Sequence, residues 1–198
     1  GTVDPTTNPL FNSCQHGTFL FLAWHRGYLY YFERILRWAA RDSNLTLPYW
    51  NWSRTSSLPE PFRSPASESN PLYDPKRSIN DGTQMPDEIV VDALERALAF
   101  TEFSASNGIG FTWSLEESPH GAVHTYVGGP GGTMSVVRTA ANDPIFWHHH
   151  CNIDRLWDLW LNQGSGRSNP SSPQFLDTRY SYVDEGGPVS YTHLTLPT

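Results

Sequence analysis

The sequence predicts an all-α domain whose core is a four-helix bundle joined by long irregular loops. Three observations carry that prediction. Two stretches, one near each end of the 198 residues, place apolar side chains at alternating steps of four and three, the spacing of one helix face. Between them runs a segment dense in Pro, Ser, Asn and Arg with no such period. Aromatic residues make up 14% of the chain and charged residues only 17%, which favours a core of packed rings. A chain of this length makes one compact domain and is too short for two, so residues 1–198 are read as a single domain.

The first helix is expected from about Thr18 to Arg41, where Phe21, His25, Tyr28, Phe32, Ile35 and Ala39 form one stripe. Residues 48–86 read as a surface excursion with few elements of its own. A supporting helix is expected over Met85 to Phe100, opened by Pro86. A shorter one starts near Pro119 and stops at Gly128 and Gly129. The last begins at Asn142-Asp143-Pro144, a side-chain acceptor followed by proline, and runs to about Asn162. Its stripe is Phe146, His150, Ile153, Trp157 and Trp160. From Gly164 onward the chain is again rich in Ser, Pro and Gly and is left outside the core, with 190–198 read as an unstructured or foreign tail.

Composition also excludes partners. The net charge is −7 and Lys76 is the only lysine, so no basic stripe exists to neutralise phosphates, and nucleic acid is not an expected partner. The richest apolar stretch, Phe19 to Ala40, is interrupted by His25, Arg26, Glu33, Arg34 and Arg37, so it is not read as a membrane span. Two cysteines, Cys14 and Cys151, make no disulfide framework.

The histidines carry the chemistry. His120 and His124, four apart, share a helix face about 6 Å apart, within reach of one ion. Taken alone such a pair is more often a surface feature, and a lone His25 in an apolar stripe is more often a satisfied core residue. Their grouping changes the balance, because seven of the eight histidines cluster at the two matched helices and only His193 stands apart. His16 lies nine residues before His25, which on one continuous helix would point them apart; a break at Gly17 and Thr18 lets His16 turn back. The run His148-His149-His150 cannot converge on one ion, since neighbours point about 100° apart. His150 lies at the stripe centre, His149 at its margin and His148 on the far side, so His150 is the preferred ligand and His149 the alternative. Imidazole donors suit copper or zinc rather than calcium or magnesium, and two metal ions would use both groups.

The stretch CQHGTFLFLAWHRGYLYYFERILR with LPYWNWS, and later SPHGAVHTYVGG with NDPIFWHHHCNIDRLW, resembles the two copper-binding halves of tyrosinases, catechol oxidases and molluscan-type hemocyanins, in the same order. That resemblance implies two copper ions, the first held by His16 and His25 and the second by His120, His124 and His150. It also implies a further first-copper histidine upstream of His16, which this sequence does not contain, so the chain is expected to be a partial domain. Nothing in the sequence positions His193 to replace that ligand. The Cys-x-His spacing is similar to that of relatives in which the cysteine forms a thioether with the histidine ring, implying the same for Cys14 and His16.

The activity implied is oxidation of a small phenolic substrate, an o-diphenol, to its o-quinone with dioxygen, with or without ortho-hydroxylation of a monophenol. Oxygen carriage as in hemocyanin, or an inactive fragment, are the alternatives. Glu116, four residues before His120, is the candidate proton acceptor and Glu117 the fallback. Gly121 follows His120 where several monophenol hydroxylases of this kind carry Asn, which favours diphenol oxidation. Asp154, with Arg155 and Arg26 near in motif, is expected to orient the imidazoles, and the loop Gly131 to Asn142 to border the substrate entrance.

Overall fold

The computed structural model describes residues 13–105 and 108–191. Helix α1 spans Phe21–Ala40 and ends at Arg41, whose positive φ of 54° closes it. Its first half is buried on nearly every side, from Phe21 to Tyr31. The predicted stripe fades toward the C-terminus, where Ala39 is exposed and Trp38 is 66% exposed, because that end projects past the packed bundle.

The single helix predicted over 85–100 is interrupted. A one-turn helix, Asp87–Val90, is separated from α2, Asp92–Ala99, at Val91, the last of three consecutive β-branched residues, Ile89, Val90 and Val91. Helix α3, Phe111–Leu115, leads into a widened turn, Glu116–Gly121, and then α4, Ala122–Gly128. Ser118 leaves helical geometry at φ −157° and ψ 122°. It precedes Pro119, whose ring disfavours the helical region for its predecessor. Gly129, at φ 61°, stops α4 as predicted.

Helix α5, Ile145–Asn162, follows the Asn-Asp-Pro start signal, and Asp143 Oδ1 accepts the Ile145 N–H at 3.0 Å. Every residue of its predicted stripe is buried, as are Ile145, Trp147, His149, Asn152 and Leu156. α1 packs along one side of it. The excursion covers another: it is loop, as expected, apart from a helical turn at Glu60–Phe62, yet Trp50, Trp52, Leu58, Phe62, Ile79 and Met85 are buried in the same core. A helix buried on several faces needs such cover on each of them, and only the side of α5 that carries Asp158 and Leu159 is left to solvent.

The excursion is fastened to α5 by a buried ion pair. Arg77 and Asp143 are 1% and 0% exposed at their side chains and meet at 2.6 Å, while Arg77 also donates to the carbonyls of Phe62 and Leu72. Asp143→Ala would leave the guanidinium buried and unpaired, and is expected to cost about 3–5 kcal/mol. The test is the denaturant midpoint, and an unchanged midpoint would show that the pair does not hold this junction.

The segment after Gly164 departs from expectation. A one-turn helix, Pro173–Leu176, buries Phe175 in the core, and strands β1, Tyr180–Asp184, and β2, Gly187–Tyr191, form an antiparallel hairpin against α1. Ser190 and Tyr191, assigned to the tail, pair with Ser181 and Tyr180; residues 192–198, and His193 with them, lie outside the described residues. The hairpin seats because Tyr180 and Tyr182 face inward with Trp24 and Tyr31, and the Tyr182 hydroxyl donates to the Trp24 carbonyl at 2.9 Å. A Cβ on Gly27 would overlap that hydroxyl, so the close approach needs glycine. The core remains helical, with this hairpin as its one sheet among the described residues. No helix among them is long and apolar enough to cross a membrane.

Candidate metal centre

His120 from the widened turn, His124 from α4, and His149 and His150 from α5 bring their ligand atoms within 4.8 Å of one another. His120 Nδ1 lies 2.9 Å from the Glu116 carbonyl and His124 Nδ1 2.9 Å from the Met134 carbonyl. A carbonyl oxygen only accepts, so each Nδ1 carries the hydrogen and each Nε2 keeps a lone pair for the centre. The Nε2 atoms of His124 and His150 are 3.1 Å apart. Two nitrogens bound to one ion at about 2.0 Å stand about 2.8 Å apart at a right angle and about 3.3 Å at the tetrahedral angle, so this spacing matches an edge of a coordination shell. His120 Nε2, His149 Nε2 and His150 Nδ1 are buried without a hydrogen-bond partner. Burial holds His124 down to about 4 and His120 and His150 well below the ordinary histidine range, so all three are neutral donors at pH 7.

A second group gathers Cys14, His16 and His25, also within 4.8 Å of one another. His25, buried in α1, donates Nδ1–H to the Phe21 carbonyl at 2.8 Å and is held down to about 3, chiefly by burial. Gly17 takes φ 66° and Thr18 Oγ1 accepts the Leu20 N–H, so His16 turns back before the helix begins, as the nine-residue spacing requires. Its ring centre lies 5.3 Å from that of His25. Cys14 Sγ is 3.3 Å from His25 Nε2 and 3.9 Å from His16 Nε2. The two groups face each other, the His25 and His150 rings stacking at 4.5 Å. All five histidines preferred from the sequence therefore meet in one place.

Glu116 joins the groups. Its Oε1 accepts the Gly17 N–H at 2.7 Å, its Oε2 is buried without a partner, and burial pushes its carboxyl up to about 7. A cavity of about 1900 Å³ opens onto both groups and onto Glu116 and the more exposed Glu117. Met134, Val137, Arg138 and Asn142, from the loop expected at the entrance, line it too.

The remaining sequence candidates sit elsewhere. Asp154 is not against an imidazole: it takes the Arg26 guanidinium at 2.5 Å and ties α5 to α1, with Asp158 as a second acceptor at 2.8 Å. His25, His120 and His124 are oriented instead by backbone carbonyls, which no sequence pattern marks. His148 packs on Phe62, ring centres 4.7 Å apart, outside both groups. His149, at the margin of the predicted stripe, is nonetheless 0% exposed, and its Nδ1 accepts the Trp52 indole N–H at 3.1 Å. Trp52 was missed as a site residue, although it lies in the LPYWNWS motif.

The family profile described as the common central domain of tyrosinase matches residues 2–91 and 76–163. Tyrosinase HcTyr1 of Hahella sp. (strain CCB-MM4) is 37% identical over 211 residues, covering 89% of this chain and 43% of its own. Aureusidin synthase of Antirrhinum majus is 30% identical, covering 86% of this chain and 36% of its own. Among solved structures, Grenache (Vitis vinifera) polyphenol oxidase superposes with a TM-score of 0.75 at 29% identity, covering 89% of this chain and 62% of that one. The chain thus spans well under half the length of these two curated relatives. Profile, identity and superposition agree with the paired histidine groups, and the chain belongs to the tyrosinase family.

Proposed function

We propose that this chain holds two copper ions and oxidises o-diphenols to o-quinones with dioxygen. The observation that carries the reading is the convergence of neutral imidazole nitrogens, led by the 3.1 Å separation of His124 Nε2 and His150 Nε2. His120, His124 and His150 hold one ion, and His16 and His25 hold the other. Cys14, beside both of the latter, forms a thioether with the His16 ring: its S–H and a ring C–H are lost as the C–S bond forms, and dioxygen takes up the two hydrogens as hydrogen peroxide. Copper, when bound, supplies the electron transfer between dioxygen and the diphenol. The chain's own groups do the rest: carbonyls fix the imidazoles, Phe21 and Phe146 pack on them to exclude water, and Glu116 accepts the phenolic proton. Gly121 beside His120 supports diphenol oxidation over monophenol hydroxylation.

One observation keeps a second reading open: among the described residues the first group offers two imidazoles and a thiol rather than three imidazoles. Copper analysis paired with a catechol assay separates the cases. Two coppers per chain with turnover is the expected result. Two coppers without turnover would point to oxygen carriage, and no copper with no turnover would sink the oxidase reading. A mass two hydrogens below the calculated value supports the thioether, and an unmodified mass on copper-loaded protein overturns it.

A further inference from the structure

His149 stands in the second histidine group without the lone pair its neighbours offer. It is fully buried, parallel to the His120 ring at 5.3 Å and edge-on to His124 at 4.8 Å. Its Nδ1 receives the Trp52 Nε1–H at 3.1 Å. An indole nitrogen has only a hydrogen to give, so His149 Nδ1 must present its lone pair to Trp52. With Nδ1 so engaged, the ring hydrogen is left to Nε2, which is buried without a hydrogen-bond partner. His25, His120 and His124 are the opposite tautomer, with hydrogen on Nδ1 and the lone pair on Nε2. Four imidazoles thus crowd one group, and Trp52 occupies the lone pair of one of them.

We propose that Trp52 is a positioning residue: by engaging His149 Nδ1 it keeps His149 from becoming a fourth nitrogen ligand, and so leaves the second metal an open position for an exogenous ligand. The inference rests on the metal reading above. Its physical logic is that a three-nitrogen site stays open to a small anion or a phenol oxygen, whereas a fourth nitrogen closes it. Trp52 itself lies outside both ligand groups and does not line the cavity. It acts through the ring nitrogen it engages.

The test has two arms. In metal-free protein with 15N-labelled histidine, long-range proton–nitrogen spectra are expected to show His149 as the Nε2–H tautomer and His25, His120 and His124 as Nδ1–H. His149 found as Nδ1–H overturns the proposal. In copper-loaded protein, azide is the probe of the open position. Trp52→Phe, which keeps an apolar ring and removes the N–H, is expected to weaken azide binding at least tenfold, and Trp52→Phe with His149→Phe to restore it. A purely structural loss would not be rescued by removing the second ring, so unchanged affinity in the single variant, or failure of the double variant to recover, overturns the proposal. Should the variant not fold, the wild-type spectrum still decides the tautomer. A chain that binds no copper sinks the metal reading, while the same spectrum judges Trp52 separately.

Discussion

His150→Ala is expected to cut the copper content from two ions per chain to one and to lower catechol turnover by at least about 10³-fold. Even the loss of an outer hydrogen-bond partner of a metal ligand costs about 10–100-fold in affinity or activity, so loss of the ligand must exceed that. His150 has no substitute. Its Nε2 is the atom 3.1 Å from His124 Nε2, and its ring also stacks on His25 across the centre at 4.5 Å. His149 cannot take over, because Trp52 engages its Nδ1 and its Nε2 carries the hydrogen. His148→Ala is the control: that ring bonds the Pro144 carbonyl and packs on Phe62, so both coppers should remain. Elemental analysis of the two variants settles the matter, and equal copper loss in both would refute the ligand assignment.

The sequence made the ligand helices legible and left their surroundings obscure, for physical reasons. Steps of four and three place Phe146, His150, Ile153, Trp157 and Trp160 on one line whatever packs against them, and all five are buried. The turn at Gly17 was readable because two ligands nine apart cannot share a continuous helix face. His149, at the margin of that stripe, is buried as deeply as its centre because periodicity measures one face, while α5 is covered on several, in part by Trp50 and Trp52 of an aperiodic loop. Aperiodic segments bury residues without a pattern to announce them. The hairpin at Tyr180–Tyr191 was hidden likewise: only Tyr180 and Tyr182 alternate inward, amid glycine, proline and polar neighbours. Asp154 illustrates a different limit. Sequence spacing put a carboxylate one turn beyond His150, but the charge it meets is Arg26 from α1, a partner fixed only by how two helices pack.

Glu116→Gln is expected to lower kcat by about 10²-fold or more, the scale of a positioned general base, and to remove a titration from the pH profile. The sign follows from the role. Glu116 accepts a proton only as a carboxylate, so wild-type activity should fall as pH drops through its pKa and level off above it. Burial places that pKa at about 7, the Gly17 N–H opposes the rise, and bound cations pull it lower, so the inflection should lie no higher than about 7. The same raised pKa gives an independent check on stability. Because the folded state holds this proton more tightly than a carboxyl of ordinary value 4.5, the stability it contributes is fully present below about 4.5 and is lost as pH rises through about 7. Glutamine, which mimics the protonated form, should flatten that loss, so metal-free Glu116→Gln should be no less stable than wild type above pH 7. Glu117→Gln, at the exposed neighbour, should keep the kinetic inflection. If Glu116→Gln retains the inflection and Glu117→Gln abolishes it, the proton goes to Glu117 and the burial of Glu116 serves the fold alone.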